Sequence, residues 1–550
     1  MKRLPKVPVT NILFIILLCF SGNINVFGQN TSYSANTNAI GGTNSTAFGF
    51  QSLLVNAGAG NSAHGYQALR NNSTGNYNSA NGYQSLYSNS SGSENTATGY
   101  QSLNSNTTGG KNVANGFEAL RYNTTGNWNT ANGDESLYDN TTGSSNTANG
   151  NRSLSQNTTG IGNTANGDES LYTNSTGSYN TANGYLSLND NSTGSYNTAN
   201  GNLSLYSNYT GDNNTANGNF SLYSNYTGFS NTANGTKSLY SNTEGFNNTS
   251  NGGSSLYTNT TGSKNTANGY SALYYNTTGS GNTANGYESL NSNTTGLYNT
   301  ANGFESLYFN TTGNYNAANG YQALNSNTTG FNITATGSES LYFNTTGNNN
   351  TADGYRALYK NTTGNNNTAF GDSAGYNSTG NRNLFLGNFA GYYEASGSNK
   401  LYLANDSNKT MIYGDFSTGQ VLMGKANPAG YTFKGTRTLN VLGGIITDSM
   451  RVSLVGGWAD HVFADEYKLR PLEGLEKFIK DYKHLPEIPT AAEVKEDGIE
   501  LSTMNTKLLL KVEELTLYIL QQQKQINEQE NANKQMQKEI AEIRKIIAAK

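Results

Sequence analysis

The chain has 550 residues, of which 34% are hydrophobic and 12% charged; glycine numbers 64 and proline only 6, and the formal net charge is −4. A composition this polar and this weakly charged excludes a string of ordinary globular domains with large apolar cores. Only nine basic and fifteen acidic side chains are scattered between residues 48 and 390, so the basic stripe that nucleic-acid binding by phosphate neutralisation requires is missing.

Residues 1–29 read as a secretory signal. Lys2, Arg3 and Lys6 form a basic start, Ile12 to Phe20 a short apolar run, and the small-residue stretch near Gly28 and Gln29 a cleavage site. The run is too short to span a bilayer, and no later segment is long enough, so the mature chain is expected to have no transmembrane segment. Cys19, the single cysteine, lies inside this run. Leu17 and Leu18 before it lack the small side chains of a lipoprotein site, and a chain cleaved after residue 29 has neither disulfides nor thiol chemistry.

Residues 30–47 are expected to cap the repeats that fill residues 48–390. Their unit reads N-T-A-N-G-Y-x-S-L-Y-x-N-T-T-G-x-x, and its glycine recurs every 17 residues from Gly65 through Gly82 and Gly99 to Gly371, with Gly49 at a spacing of 16 before them. A leucine follows four residues later (Leu69, Leu86, Leu103) and an asparagine seven later (Asn72, Asn89, Asn106). An alanine precedes the glycine by two (Ala63, Ala80, Ala97), with Ser250 as the one exception. A period of 17 is too short for helical pairs and suits one coil of a solenoid. The expected fold is an all-β solenoid, a parallel β-roll of about twenty coils rising about 4.8 Å each to roughly 100 Å. Two short strands per coil, T-A-N-G-Y and S-L-Y, would be joined by N-T-T-G turns whose Gly and Asn accept left-handed angles. Gly82, Leu86, Asn89, Ala97, Gly99, Leu103 and Asn106 would form the structural ladders. One Leu and one Ala or Ser per coil make a thin core. The aromatic residues after the glycine (Tyr83, Tyr100, Phe117) or after the leucine (Tyr87, Tyr138, Tyr172) have two readings: a face that packs on another copy, or a half-buried ladder.

These N-T-A-x-G coils resemble the N-S-x-A-x-G coils in YadA-like heads of trimeric autotransporter adhesins, and long repeats in surface proteins of Bacteroidetes-type bacteria. The resemblance covers about residues 43–390 and implies a trimeric adhesive fibre. The adhesin head's coil is shorter, which leaves handedness and trimer packing open, and the C-terminus shows nothing like those adhesins' outer-membrane barrel.

After Gly371 the repeat decays, and Leu384, Phe385, Leu386 and Phe389 suit a cap over the last solenoid edge. Residues 391–455 read as a β-rich neck, 456–500 as a trimerisation module and 501–550 as a coiled coil. One heptad seam holds Asn505, Val512, Ile519, Ile526, Asn533, Ile540 and Ile547; the other holds Leu501, Leu508, Leu515, Gln522, Gln529, Met536 and Ile543. Isoleucine at both seam positions near the end favours three strands, and the polar seam residues specify register. No basic region precedes the helix, which excludes a leucine-zipper transcription factor. The stretch WADHVFADEYKLRPLEGLEKFIKDYKHLPEIP and the helix after it, roughly residues 447–530, resemble the intramolecular chaperone domain of phage tail fibres and endosialidases. Many members of that family cleave themselves with a serine followed by aspartate. Here the matching pair is Ala459-Asp460, with Lys468 as the basic partner, so the attacking oxygen is missing. Neither Ser449 nor Ser453 is followed by aspartate. The resemblance therefore implies an uncleaved homotrimerisation module.

No catalytic, metal or cofactor site is expected. His64, His461 and His484 are far apart. The doublets Asp134-Glu135 and Asp168-Glu169 sit at equivalent coil positions, where a bound cation or paired carboxylates compete with the reading as solvated charges. No phosphate-binding or nucleophile-elbow motif occurs in a credible context. The N-x-S/T triplets follow from the turn composition. The leading expectation is a secreted or cell-surface, non-enzymatic fibre, a self-associating trimer that meets a glycan or surface receptor. A glycan- or ice-binding solenoid stands second, with the adjacent threonines of N-T-T-G unable to share one plane as ice binding would need. A solenoid hydrolase or lyase, or a self-processing tail-fibre-like protein, stands third.

Overall fold

A computed structural model describes residues 31–32, 43–426, 433, 436, 438–451 and 461–549. The signal segment with Cys19, most of the 30–47 cap, Ser453 and the Ala459-Asp460 pair lie outside the described residues. The chain divides into two compact units, at Gly443/Gly444.

The first unit is a parallel β-solenoid. From β1 (Thr31–Ser32) and β2 (Thr46–Phe48) to β22 (Leu384–Leu386), each coil contributes one short strand that pairs in parallel with the next. Repeat position meets repeat position: Thr181 faces Thr198, Ala182 faces Ala199 and Asn183 faces Asn200. The parallel stack extends through β23 (Lys400–Ala404), which makes about 23 coils rather than twenty.

The expected second strand does not form. Only the three residues T-A-N are extended, because Gln84 and Leu86 take φ of 52° and 49°, and the same two positions are left-handed in nearly every coil. A left-handed residue other than glycine costs about 1–2 kcal/mol. Two gains offset that cost. The leucine side chain is fully buried, a transfer worth about 2 kcal/mol. The alternating backbone also aims its N–H groups both ways along the stack: Gly82 and Gln84 donate to the carbonyls of His64 and Tyr66 at 2.8 and 2.9 Å, while Leu86 and Ser88 donate forward to Ser102 and Asn104 at 2.9 and 3.0 Å. Each coil thus bonds to both neighbours along its non-strand half as well.

The glycine of N-T-T-G serves close approach. A Cβ on Gly92 would lie 2.2 Å from the Gly109 carbonyl oxygen and 2.4 Å from Asn89 Oδ1. The left-handed glycine is the one after the strand: Gly82 has φ 143°, and a Cβ there would meet the Gly99 oxygen at 2.2 Å.

The core is narrow but complete within one chain. Each coil turns inward an Ala, a Ser or Ala, a Leu and two asparagines, all essentially inaccessible. The Ser hydroxyls mostly donate to the carbonyl three residues back, as Ser85 does to Gly82 at 3.3 Å. Ser250, the exceptional strand residue, donates to the Ser255 carbonyl at 3.0 Å.

Phe385 takes the alanine position in the last regular coil, pairing with Ala369, and is fully buried. Glycines at 375 and 391 leave room for its ring, which a Cβ would approach to 2.6 and 2.3 Å. Tyr402 stacks on it at 5.5 Å and Tyr413 packs on Tyr402 at 5.1 Å. Strands β24 (Thr410–Asp415) and β25 (Gln420–Ala426) then continue the sheet in antiparallel fashion, and β26 (Leu439–Leu442) pairs in parallel with β25.

The second unit contains α1 (Leu472–Tyr482), α2 (Ala491–Asp497) and α3 (Leu501–Ala548). α1 ends where Lys483 turns left-handed, and α2 begins with a capping box between Thr490 and Glu493. Among the described residues no helix is long and apolar enough to cross a membrane.

Candidate functional site

Two buried asparagine ladders run inside the solenoid. In the first, Asn89 donates to Asn72 Oδ1 at 2.7 Å and to the Gly92 carbonyl at 2.8 Å, and Asn106 repeats the pattern on Asn89 and Gly109. The ladder reaches from Asn56 to Asn361. Ser378 takes the next rung, and Asn361 Oδ1 is left buried without a hydrogen-bond partner. In the second ladder Asn95 donates to the Gly109 carbonyl at 2.9 Å, and its own backbone N–H bonds to Asn78 Oδ1 at 3.0 Å. This second column is legible only as the first letter of N-T-A-N, replaced by Ser45 in the first coil and by Ile333 in a later one. An unpaired buried amide group costs about 1–3 kcal/mol, so both columns hold the register of the stack.

The strand's outer face carries a third column. From Asn115 to Asn319 each asparagine donates Nδ2–H to the Oδ1 of the next at 2.7–2.9 Å. Beside it runs a column of strand threonines. The two kinds of threonine behave differently. A first turn threonine such as Thr107 or Thr124 gives its hydroxyl to the next coil's carbonyl at 2.9 Å. The strand threonines, partly exposed on the outward face, make no side-chain hydrogen bond to described residues.

The aromatic residues stack on one another. Phe50, Tyr66, Tyr83, Tyr100 and Phe117 form a column at 5.1–5.4 Å. Tyr206, Tyr223, Tyr240, Tyr257 and Tyr274 form another at 5.0–5.2 Å. The rings cover each other's faces and turn their edges outward. Beside Arg121, burial and a hydrogen bond to Tyr122 push the Tyr138 hydroxyl up to about 12.

The acidic doublets do not pair with each other. Glu135 binds Arg152 at 2.9 Å, and Glu169 approaches the same guanidinium at 3.9 Å. Arg152 occupies the same coil position midway between them, an alternation readable once the repeats are aligned. His64 packs edge-on against Phe48, and His461 and His484 pack against aromatic rings. No group of three His, Cys, Asp or Glu residues that could hold a metal occurs among the described residues.

Aliphatic side chains are exposed along the last helix and on the hairpins that follow the coils. α3 has 48 residues and buries none of them. Leu508, Val512, Leu515, Ile519 and Ile526 are all exposed, and Gln522 lies exposed along the same helix. Another side of the helix meets the segment before it: Tyr467 bonds to Glu514, Lys511 to Glu487 at 3.2 Å, and the Tyr518 hydroxyl to the Arg470 carbonyl. A groove lined by Leu475, Leu485, Pro486, Leu508, Val512 and Leu515 runs between them. In the first unit, Leu403, Met411 and Met423 expose a second apolar patch on the terminal hairpins.

The fold defines the class: a single-chain parallel β-solenoid followed by a helical unit. No family model, curated protein or solved structure matches the chain.

Proposed function

We propose that this is an exported structural or adhesive fibre protein that assembles as a homotrimer through α3 and acts without catalysis. The solenoid is its spacer and display surface, the strands after residue 391 its neck, and residues 456–500 with α3 its clasp. The observation that carries the reading is the seam of α3. Exposed Leu508, Val512, Leu515, Ile519 and Ile526 recur at heptad spacing on a helix with no buried residue. An isolated helix of that kind gains little from propensity alone and draws its stability from packing. Isoleucine at both seam positions near residues 540–547 favours three strands. Alanine in place of the nucleophilic serine at 459 makes the clasp permanent. Display along the rod multiplies weak contacts with a surface receptor.

Light scattering and intact-mass measurement on the full secreted chain test this. Three copies per particle with uncleaved C-termini are expected; a monomer at micromolar concentration overturns the assembly and the fibre reading together.

A further inference from the structure

We propose that the outer strand face between Thr130 and Asn302 is an ice-binding surface. The inference goes beyond the fibre reading and does not depend on trimer formation. Over eleven successive coils every strand there begins with Thr and ends with Asn. Inward-facing Ala, or Ser250 once, separates them, so both outer side chains stand on one face. The result is a two-dimensional lattice, repeating about 4.8 Å along the stack and about 6.6 Å across each strand.

Three features suit this lattice to ordered water. First, its groups are fixed: each asparagine is held between its two neighbours at 2.7–2.9 Å, and the β-branched threonines have restricted side-chain torsions. Second, unused bonding capacity is left over. Each ladder asparagine retains one N–H and one lone pair, and each strand threonine keeps its hydroxyl free, so every coil offers donors and acceptors together. Third, the lattice is uncharged across all eleven strands and turns little from coil to coil. In five of these coils the Tyr206–Tyr274 column keeps successive ring planes within 4–8°, and the other stacked pairs along the eleven coils stay within 16°.

Other occupants fit less well. A second copy of the chain would need apolar area, which Thr and Asn do not supply. A neutral polysaccharide is commonly gripped by open aromatic faces, whereas these rings cover one another. An ionic polymer would need charge on the face. Ice presents a periodic, neutral surface of donors and acceptors, and a rigid array gains affinity from many weak contacts made at once.

The test uses the full chain, assayed for thermal hysteresis and inhibition of ice recrystallisation, with partitioning of the labelled protein into a growing ice hemisphere. The wild type should be active in all three. Replacing Thr198, Thr215 and Thr232 together with lysine should raise the concentration needed by about tenfold or more, because the array is interrupted at its centre. The triple Thr→Ala variant keeps the fold question separate, since Ala317 already occupies this column, and should weaken activity in the same direction. Asn213→Lys, on a turn position where Lys264 shows a lysine is accepted, should leave activity unchanged. Circular dichroism melting confirms that each variant is folded. The proposal is overturned if the wild type does not alter ice growth, if the folded threonine variants match it, or if the chain binds crystalline cellulose or chitin and not ice.

Discussion

The two units handle their unsatisfied groups in opposite ways. In the solenoid, inward amides and methyl groups meet partners in the next coil of the same chain and inward hydroxyls bond within their own coil, so an interior half filled with polar side chains is almost fully bonded. In the C-terminal unit, a 48-residue helix leaves its aliphatic seam exposed. Repetition supplies a partner automatically, because each coil's upper surface is complementary to its own lower surface. A long helix has no such built-in partner along its seam, where Leu508, Val512, Leu515, Ile519 and Ile526 stay exposed.

The largest expected effect targets the helix. Leu515→Asp with Ile519→Asp should convert the proposed trimer to monomers, read by light scattering, while the melting of the solenoid stays put; a coupled loss of both would show that the rod itself depends on assembly. Next comes one of the solenoid's close coil-to-coil approaches. Gly194→Val would drive a side chain into the Gly211 carbonyl, 2.4 Å from the Cβ position, and into the Asn191 and Asn208 amides. A local cost of about 3 kcal/mol or more is expected. Because repeat stacks gain stability from neighbour to neighbour, hydrogen exchange should show the loss concentrated in the adjoining coils.

A smaller pair sharpens the contrast within the rod. Asn191→Ala removes a buried rung and strands Asn174 Oδ1, one of the two N–H groups of Asn208 Nδ2 and a share of the Gly194 carbonyl's bonding, costing about 1–3 kcal/mol. Asn200→Ala, in the partly exposed outer ladder, should stay within about 0.5 kcal/mol. Equal effects would mean that burial is not what makes the inner ladder matter. The smallest effect is at the hairpin after the coils, where Lys400 meets Asp415 at 2.6 Å. Burial works against both charges. The hydrogen bonds from Lys400 and Ser417 nevertheless hold the Asp415 carboxyl below its ordinary 3.8, and the bond to Asp415 holds Lys400 above its ordinary 10.5. A depressed acid and a raised base both stabilise the fold on the plateau between those values. The contribution should vanish as pH falls through the lowered Asp415 value or rises through the raised Lys400 value, and Asp415→Asn should flatten both limbs of a melting-versus-pH curve.

The exposed faces were only partly legible in the sequence. Both threonine types and the outer asparagine stand in the repeat unit, yet only the N-T-T-G threonines are marked in the sequence, by being adjacent. It takes the hydrogen bonds to show that the first of them is often occupied by the backbone while the strand threonine is free. Arg152 between Glu135 and Glu169 is legible only when the repeats are aligned, for a related reason: neighbours among the three are 17 residues apart in the chain and one rung apart in the stack.

The 17-residue spacing by itself determined that the chain coils, where each coil begins, and that Gly82, Leu86, Asn89 and Ala97 form columns, because an unbroken period can bury its repeated face only against its own copy. The heptads after Leu501 likewise determined one long amphipathic helix. Tertiary structure decided how each coil turns. S-L-Y has the composition of a strand, yet Leu86 sits at φ 49°, against its intrinsic preference, because that geometry buries its side chain and lets the flanking N–H groups reach the coils above and below. Local propensity is read one residue at a time, whereas the gain that overrides it exists only when the next coil is in place.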